Sequence, residues 1–180
     1  RILEQVDGSV LLIYADNETA RMNLTKEIVL RGIEPSRLIF GERLSKPEYL
    51  ARYRVADLFL DTLPFNAGTT ASDALRMGLP VLTCMGSSFV SREAASVINA
   101  INLPELITTT QEQYESLAIE LATDPEKLKI IKGKLVDNLS KAPLYDTPLF
   151  TQRLESAYLT MYDRYQHGLD ADHIYVEHHK

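Results

Sequence analysis

The chain has 180 residues, of which 45% are apolar and 24% charged, a composition typical of a globular domain with one hydrophobic core. Its formal net charge of −6 argues against a nucleic-acid partner held on a basic face. No apolar run approaches the roughly 20 residues that span a bilayer. The single cysteine, Cys84, excludes an internal disulfide and favours a reducing, cytoplasmic compartment.

Short apolar runs alternate with helical stretches along most of the chain. In chain order they predict strand 9–15, helix 18–33, strand 37–40, helix 46–55, strand 57–62, a turn and helix from 66, strand 80–84, helix 91–101 and strand 105–108. Three further helices are predicted near 111–123, 125–139 and 147–166. The apolar face of the first helix is expected to include Met22, Ile28 and Val29, and Ser91 is the expected N-cap of a later helix.

Strands that alternate with helices predict an α/β domain with a mostly parallel sheet. Such sheets bind ligands in the crevice at the carboxyl ends of their strands. We therefore expect the functional loops to follow Phe40, Asp61 and Cys84.

The turn Asn-Ala-Gly-Thr-Thr at 66–70 has the chemistry of a phosphate site. Gly68 allows the backbone to approach a ligand closely. Thr69 and Thr70 offer hydroxyl and amide groups at a helix start, where the helix dipole favours an anion such as a pyrophosphate. Asp73, about one turn later, can accept hydrogen bonds from ribose hydroxyls. This chemistry alone leaves a second interpretation open, in which a threonine is only an N-cap and Asp73 only complements the dipole.

Other polar residues near the predicted strand ends are further candidates for the site. Ser87, Ser88 and Arg92 either contact a phosphate or the donor sugar, or belong to a capped helix with the arginine on its surface. Asp57 and Asp61 are expected on one face of a strand and are interpreted as structural. No Asp-x-Asp metal motif occurs, and we interpret the histidines near the C-terminus as part of a polar tail rather than a metal site.

A longer stretch, ADLFLDTLPFNAGTTASDALRMGLPVLTCMGSSFVSREAAS at 56–96, closely resembles the C-terminal nucleotide-binding half of the O-GlcNAc transferase and SPINDLY-like glycosyltransferases, family 41. The resemblance continues through LPELITTTQEQYESLAIELATDPEKLKIIKGKL and PLYDTPLFTQRLESAYLTMYDRYQHG. It implies the GT-B fold, in which two Rossmann-like lobes face each other. Residues 1–166 are then expected to form the donor-binding lobe, incomplete at its N-terminus, and 167–180 a polar tail.

The resemblance implies a donor site. Lys46 matches a lysine near the base and ribose, and Arg52 an arginine beside uracil. Without the resemblance, both would be interpreted as part of a solvated helix face. Tyr49 falls where the animal enzymes have a histidine.

The remaining donor-site residues lie in the turn at 66–70 and just after it. By the resemblance, Thr69 and Thr70 hold the diphosphate and Asp73 the ribose. Gly68 stands where the animal enzymes have a histidine, so this chain lacks one side-chain donor to the phosphates.

By the same resemblance, the expected activity is transfer of GlcNAc from UDP-GlcNAc to Ser or Thr side chains of an acceptor protein or peptide. Neither a metal nor a cofactor is expected. GDP-fucose and UDP-glucose remain alternative donors, and a sugar-nucleotide epimerase and a non-catalytic binding module remain alternative functions. The catalytic base, a donor-contacting lysine, the first strand of the lobe and any tetratricopeptide repeats are expected upstream of residue 1. The chain alone is therefore expected to be inactive.

Overall fold

The computed structural model describes residues 1–176; His178 and His179, in the predicted polar tail, lie outside the described residues. Its strands are β1 Leu11–Tyr14, β2 Leu38–Gly41, β3 Phe59–Leu60, β4 Val81–Cys84 and β5 Ile107–Thr108. Its α-helices are α1 Ile2–Gln5, α2 Glu18–Leu30, α3 Lys46–Arg52, α4 Thr69–Arg76, α5 Glu93–Ala100, α6 Gln111–Thr123, α7 Pro125–Leu139 and α8 Thr147–Gln166. All predicted strands and helices are present.

The strands are parallel, as predicted, but they form two sheets. One sheet pairs β1 with β2, and the other has the order β3-β4-β5. Within residues 1–176, no hydrogen-bonded ladder joins the two. The third strand is shorter than the predicted 57–62. At its carboxyl end the backbone turns after Asp61, whose carboxylate accepts hydrogen bonds from the amides of Thr62 and Ala67.

The hydrophobic core surrounds β4, all four residues of which are buried. Val81 belongs to the main apolar cluster, which includes buried side chains of α4, α5, α6 and α7. Leu82 and Cys84 pack with Tyr114 and Ala118 of α6 in a second cluster. Cys84 is thus the buried thiol that its apolar strand predicted.

Helix α2 is oriented differently from the prediction, and it has no buried residue. Met22 and Val29 of the predicted inner face are exposed, by 59% and 50%. Arg21 lies toward the strands instead: its Nε donates to the Ala15 carbonyl at 3.1 Å, and its guanidinium lies 5.5 Å from the centre of the Phe40 ring. This cation–π contact places a charged side chain, rather than an apolar one, against Phe40.

The last three helices have the predicted bounds. Each begins after a side chain that accepts a hydrogen bond from a backbone amide three residues on: Thr110, Asp124 and Asp146. The longest of them, α8, has no buried residue, and its Tyr158 and Met161 are exposed. No helix in residues 1–176 combines the length and the apolar character needed to cross a membrane.

Candidate functional site

The turn that follows β3 is organised by Asp61, which is only 5% exposed. Its carboxylate accepts hydrogen bonds from the amides of Thr62 and Ala67, at 2.8 and 2.7 Å, and from the Thr83 hydroxyl at 2.6 Å. Burial raises the pKa of the Asp61 carboxyl above its usual range, and the three hydrogen bonds oppose that shift. Asp61 therefore connects the turn to β4.

Asp57 and Asp61 do not share a strand face, contrary to the prediction, because β3 comprises only residues 59 and 60. Asp57 is exposed and forms an ion pair with Lys132 of α7 at 2.9 Å. Both carboxylates have structural partners, in agreement with their structural interpretation.

Asn66 ties the turn to the loop after β4. Its backbone N–H donates a hydrogen bond to the Val90 carbonyl at 2.9 Å, and its side-chain Nδ2 donates to the Thr62 carbonyl at 2.9 Å. The residue is 1% exposed, and within the described residues its Oδ1 has no hydrogen-bond partner. Because Asn66 is buried, its backbone and side-chain hydrogen bonds together hold the turn in one conformation.

Helix α4 begins at Thr69, so neither Thr69 nor Thr70 is its N-cap. The N-cap is Gly68, which has no side chain to satisfy the first amide groups. Both threonine residues are exposed. In the described residues, the start of α4 thus lacks a side-chain cap and presents two hydroxyl groups beside it. That arrangement suits an anion.

A second group of predicted site residues comes from α3, which begins with a capping box between Ser45 and Glu48. Lys46, Tyr49 and Arg52 are spaced three residues apart, so they lie near one another on the helix. The Lys46 ammonium lies 4.8 Å from the centre of the Tyr49 ring, and the Arg52 guanidinium lies 5.8 Å from it.

The two groups of site residues meet through Lys46 and Asp73. The Nζ of Lys46 lies 2.7 Å from Oδ2 of Asp73, across 27 positions of sequence. Asp73 therefore does not interact with the dipole of its own helix alone, because it also pairs with a residue of α3. The structure brings α3 and α4 together at the predicted edge, beyond the carboxyl ends of β2 and β3.

Arg52 and Tyr49 are held by further contacts. Arg52 Nη1 donates to the Glu42 carbonyl at 3.0 Å and lies against Gly41, where an added Cβ would come within 2.8 Å of it. The hydroxyls of Tyr49 and Tyr53 are 2.5 Å apart. Burial, reinforced by that hydrogen bond, raises the pKa of the Tyr53 hydroxyl above its usual range.

The loop after β4 has a different local structure from the one predicted. Ser91 does not cap α5: its N-cap is Arg92, which has no capping hydrogen bond and is exposed. The Ser91 hydroxyl is instead bound to Ser88, since it accepts from the Ser88 amide at 3.0 Å and donates to its carbonyl at 3.0 Å. Because the hydroxyl is used to close this loop, it cannot also satisfy the helix start.

Ser87 and Ser88 line an open cleft of about 360 Å³ at the carboxyl ends of β4 and β5. Leu63, Pro64 and Thr109 also line it. The cleft borders the turn, because the loop and the turn are joined by the Asn66 hydrogen bond.

The hydrogen bonds by which Asp61 and Asn66 position the turn were not predicted, although Asp61 was interpreted as structural. An aspartate at the end of an apolar run and an asparagine before a small-residue turn are typical of local backbone hydrogen bonding, and that signal could have found both.

Comparison with known proteins agrees with this fold. The model of glycosyl transferase family 41 matches residues 1–154. The structure resembles that of a mutant of the Thermobaculum terrenum O-GlcNAc transferase, with a TM-score of 0.84 and 31% identity over 89% of this chain and 32% of that one. The predicted α/β class and the assignment to a lobe of a GT-B glycosyltransferase are therefore confirmed.

Two curated relatives are also similar. The UDP-N-acetylglucosamine–peptide N-acetylglucosaminyltransferase of Caenorhabditis elegans is 33% identical over 174 residues, which are 97% of this chain and 15% of the relative. The Petunia hybrida protein named "Probable UDP-N-acetylglucosamine–peptide N-acetylglucosaminyltransferase SPINDLY" is 34% identical over 93% of this chain and 18% of its own length. The chain spans less than a fifth of each of these relatives. On the match of the family model and the shared fold, this chain belongs to glycosyl transferase family 41.

Proposed function

We propose that the chain is the nucleotide-sugar-binding lobe of a protein glycosyltransferase that transfers GlcNAc from UDP-GlcNAc to serine or threonine side chains. The observation that carries this proposal is the meeting of Lys46 with Asp73 beside the start of α4. It brings a cation, a carboxylate and unfilled helix amides to one edge of the sheets. A nucleoside diphosphate needs groups of these three kinds.

Each group has a proposed role. The amides and hydroxyls of Thr69 and Thr70 bind the diphosphate, and Asp73 accepts hydrogen bonds from the ribose. Lys46 and Arg52, with the Tyr49 ring between them, flank the base and ribose. The Lys46–Asp73 ion pair supports this arrangement, since it holds both charges in place before a ligand arrives.

The proposed chemistry is electrostatic. When the bond between the sugar and the diphosphate breaks, negative charge develops on the leaving group. The helix amides, the two hydroxyl groups and Lys46 stabilise that charge. We assign the catalytic base to the other lobe, and we propose that residues 1–166 form the donor lobe. No metal is required in this proposal; within residues 1–176, no three His, Cys, Asp or Glu side chains form a metal-binding group.

The relatives support a transferase that acts on protein, since the names of both describe transfer of N-acetylglucosamine to a peptide. The epimerase alternative finds no support among them. We further propose a cytoplasmic location, since the single cysteine is free. A second lobe and tetratricopeptide repeats in the complete protein are also part of this proposal.

The test is calorimetric titration of the protein with UDP and with GDP, and thermal unfolding confirms that each sample is folded. We expect UDP to bind and the Thr69→Ala/Thr70→Ala variant to lose at least tenfold in affinity. A Thr147→Ala/Thr151→Ala variant is the matched control, because it removes two exposed threonines from the start of α8. Preference for GDP would shift the donor to a guanine nucleotide. Failure of both nucleotides to bind folded protein would contradict the proposal.

A further inference from the structure

The space beside Gly68 is occupied by a side chain from another helix. An ideal Cβ at Gly68 would lie 2.3 Å from Oε1 of Glu93, 2.8 Å from its Cδ and 3.4 Å from its Oε2. Real Cβ atoms essentially never come within 3.0 Å of a non-bonded heavy atom. The Glu93 carboxylate therefore fills the volume in which a side chain at position 68 would begin.

Glu93 stands at the start of its own helix and beside the start of another. It is the first residue of α5 and is partly buried. In residues 1–176 the Glu93 carboxylate has neither a hydrogen bond nor an ion pair, so no cationic side chain offsets its charge. Two helix starts without a side-chain cap lie beside it: that of its own helix α5, in whose first turn it stands, and that of α4, just after Gly68. This carboxylate is thus held at the edge of the turn to which we assigned the diphosphate.

A fixed negative charge there affects different phosphate ligands to different extents. A free nucleoside diphosphate ends in a phosphate whose second ionisation lies near pH 6, so it carries an additional negative charge at pH 7. In a nucleotide sugar, one oxygen of this terminal phosphate is esterified to the sugar, so the additional charge is absent. Like charges a few ångströms apart at a protein surface repel strongly enough to change affinity about tenfold.

We propose that Glu93 is a specificity-determining residue of the donor site, and that it favours the sugar-linked diphosphate over the free diphosphate. This inference rests on the proposed function. Glu93 tolerates the diphosphate while the sugar ester leaves its terminal phosphate with a single negative charge, and it repels the diphosphate more strongly once transfer of the sugar has added the second charge. The residue thereby promotes release of the nucleotide product. Gly68 is required in this arrangement because any larger residue would displace the carboxylate.

The experiment measures the dissociation constants of UDP, UDP-GlcNAc and uridine by calorimetry for the wild type and for Glu93→Gln. We expect the variant to bind UDP about tenfold more tightly and UDP-GlcNAc less than threefold more tightly. Uridine, which has no phosphate, is expected to bind equally to both proteins. The matched control is Glu34→Gln, an exposed glutamate that precedes β2 and so lies at the opposite edge of its sheet.

A second variant tests the steric part of the inference. Gly68→Ala is expected to displace the Glu93 side chain and to tighten UDP binding in the same direction as Glu93→Gln. The same alanine in a Glu93→Ala background is expected to have no further effect on the ratio of UDP to UDP-GlcNAc affinity. Unfolding midpoints identify any variant that is simply misfolded.

Two results are separately informative. If wild-type protein binds both ligands and Glu93→Gln leaves their affinity ratio unchanged, the role of Glu93 is wrong while the proposed function stands. If the folded wild type binds neither ligand, the proposed function itself fails.

Discussion

The two sheets of this protein differ in how completely they are covered. In the β3-β4-β5 sheet, Val81 and Leu82 of the central strand are fully buried, between helices on both faces. In the β1-β2 sheet, Leu12, Tyr14 and Ile39 are 38%, 51% and 44% exposed. The proposed diphosphate turn is built on the well-covered sheet, whereas α3, with the residues assigned to the base, follows the poorly covered one. Stability and ligand contacts are thus distributed unevenly, and this unevenness can be tested.

The largest expected effect comes from a matched pair of leucine truncations. Leu75 of α4 is fully buried, and Leu30 at the end of α2 is 69% exposed. We expect Leu75→Ala to lower the free energy of unfolding by about 2–5 kcal/mol, because it leaves a cavity in the core. Leu30→Ala is expected to change it by less than about 0.5 kcal/mol. Urea denaturation measures both, and equal losses would remove the contrast between the two sheets.

The next effect concerns the hydrogen bond between Thr83 and Asp61. Thr83→Val keeps the shape of the side chain but removes the hydroxyl that donates to the buried carboxylate at 2.6 Å. We expect a loss of about 1–3 kcal/mol in unfolding free energy, because a buried acceptor loses its partner. Thr25→Val in α2 is the control, since that hydroxyl only donates to a helix carbonyl. If the two variants were equally stable, the assigned role of Asp61 in organising the turn would be wrong.

A third prediction separates binding from stability. The Lys46 side chain is 62% exposed, so its ion pair with Asp73 contributes less than about 1 kcal/mol to folding. Lys46→Met is therefore expected to leave the denaturation midpoint nearly unchanged while it weakens UDP binding about tenfold, through loss of a charged contact. The control is Lys134→Met, which breaks the Lys134–Glu105 ion pair of α7. A comparable loss of UDP affinity in that control would argue against the assigned site.

The smallest expected effect is a pH dependence. Because burial raises the pKa of Asp61 in the folded state, the folded protein retains this proton to a higher pH than the unfolded chain. The stabilisation from this group is present below the unfolded pKa of about 3.8 and is lost as pH rises through the raised folded value. As pH rises from about 3.8 through the raised pKa of folded Asp61, the unfolding free energy should decline less steeply in Asp61→Asn than in the wild type. Parallel pH profiles would contradict this assignment.

Local chemistry in the sequence determined the helices after β5, the parallel strands and the turn that precedes α4. Thr110, Asp124 and Asp146 cap helices through bonds that span only three residues, so neighbouring residues contain all the information needed. The family resemblance added the residues of α3, which no local pattern distinguishes from a solvated helix face.

Only the tertiary structure decided which groups meet across large separations. The Lys46–Asp73 pair, the contact of Arg21 with Phe40 and the approach of Glu93 to Gly68 each join residues of different elements. The role of Ser91 could not be predicted from nearby residues either. A serine hydroxyl can cap a helix or close the loop before it, and the surrounding packing selects between the two. Periodicity and capping are properties of a segment, whereas these contacts depend on how helices and strands pack against each other.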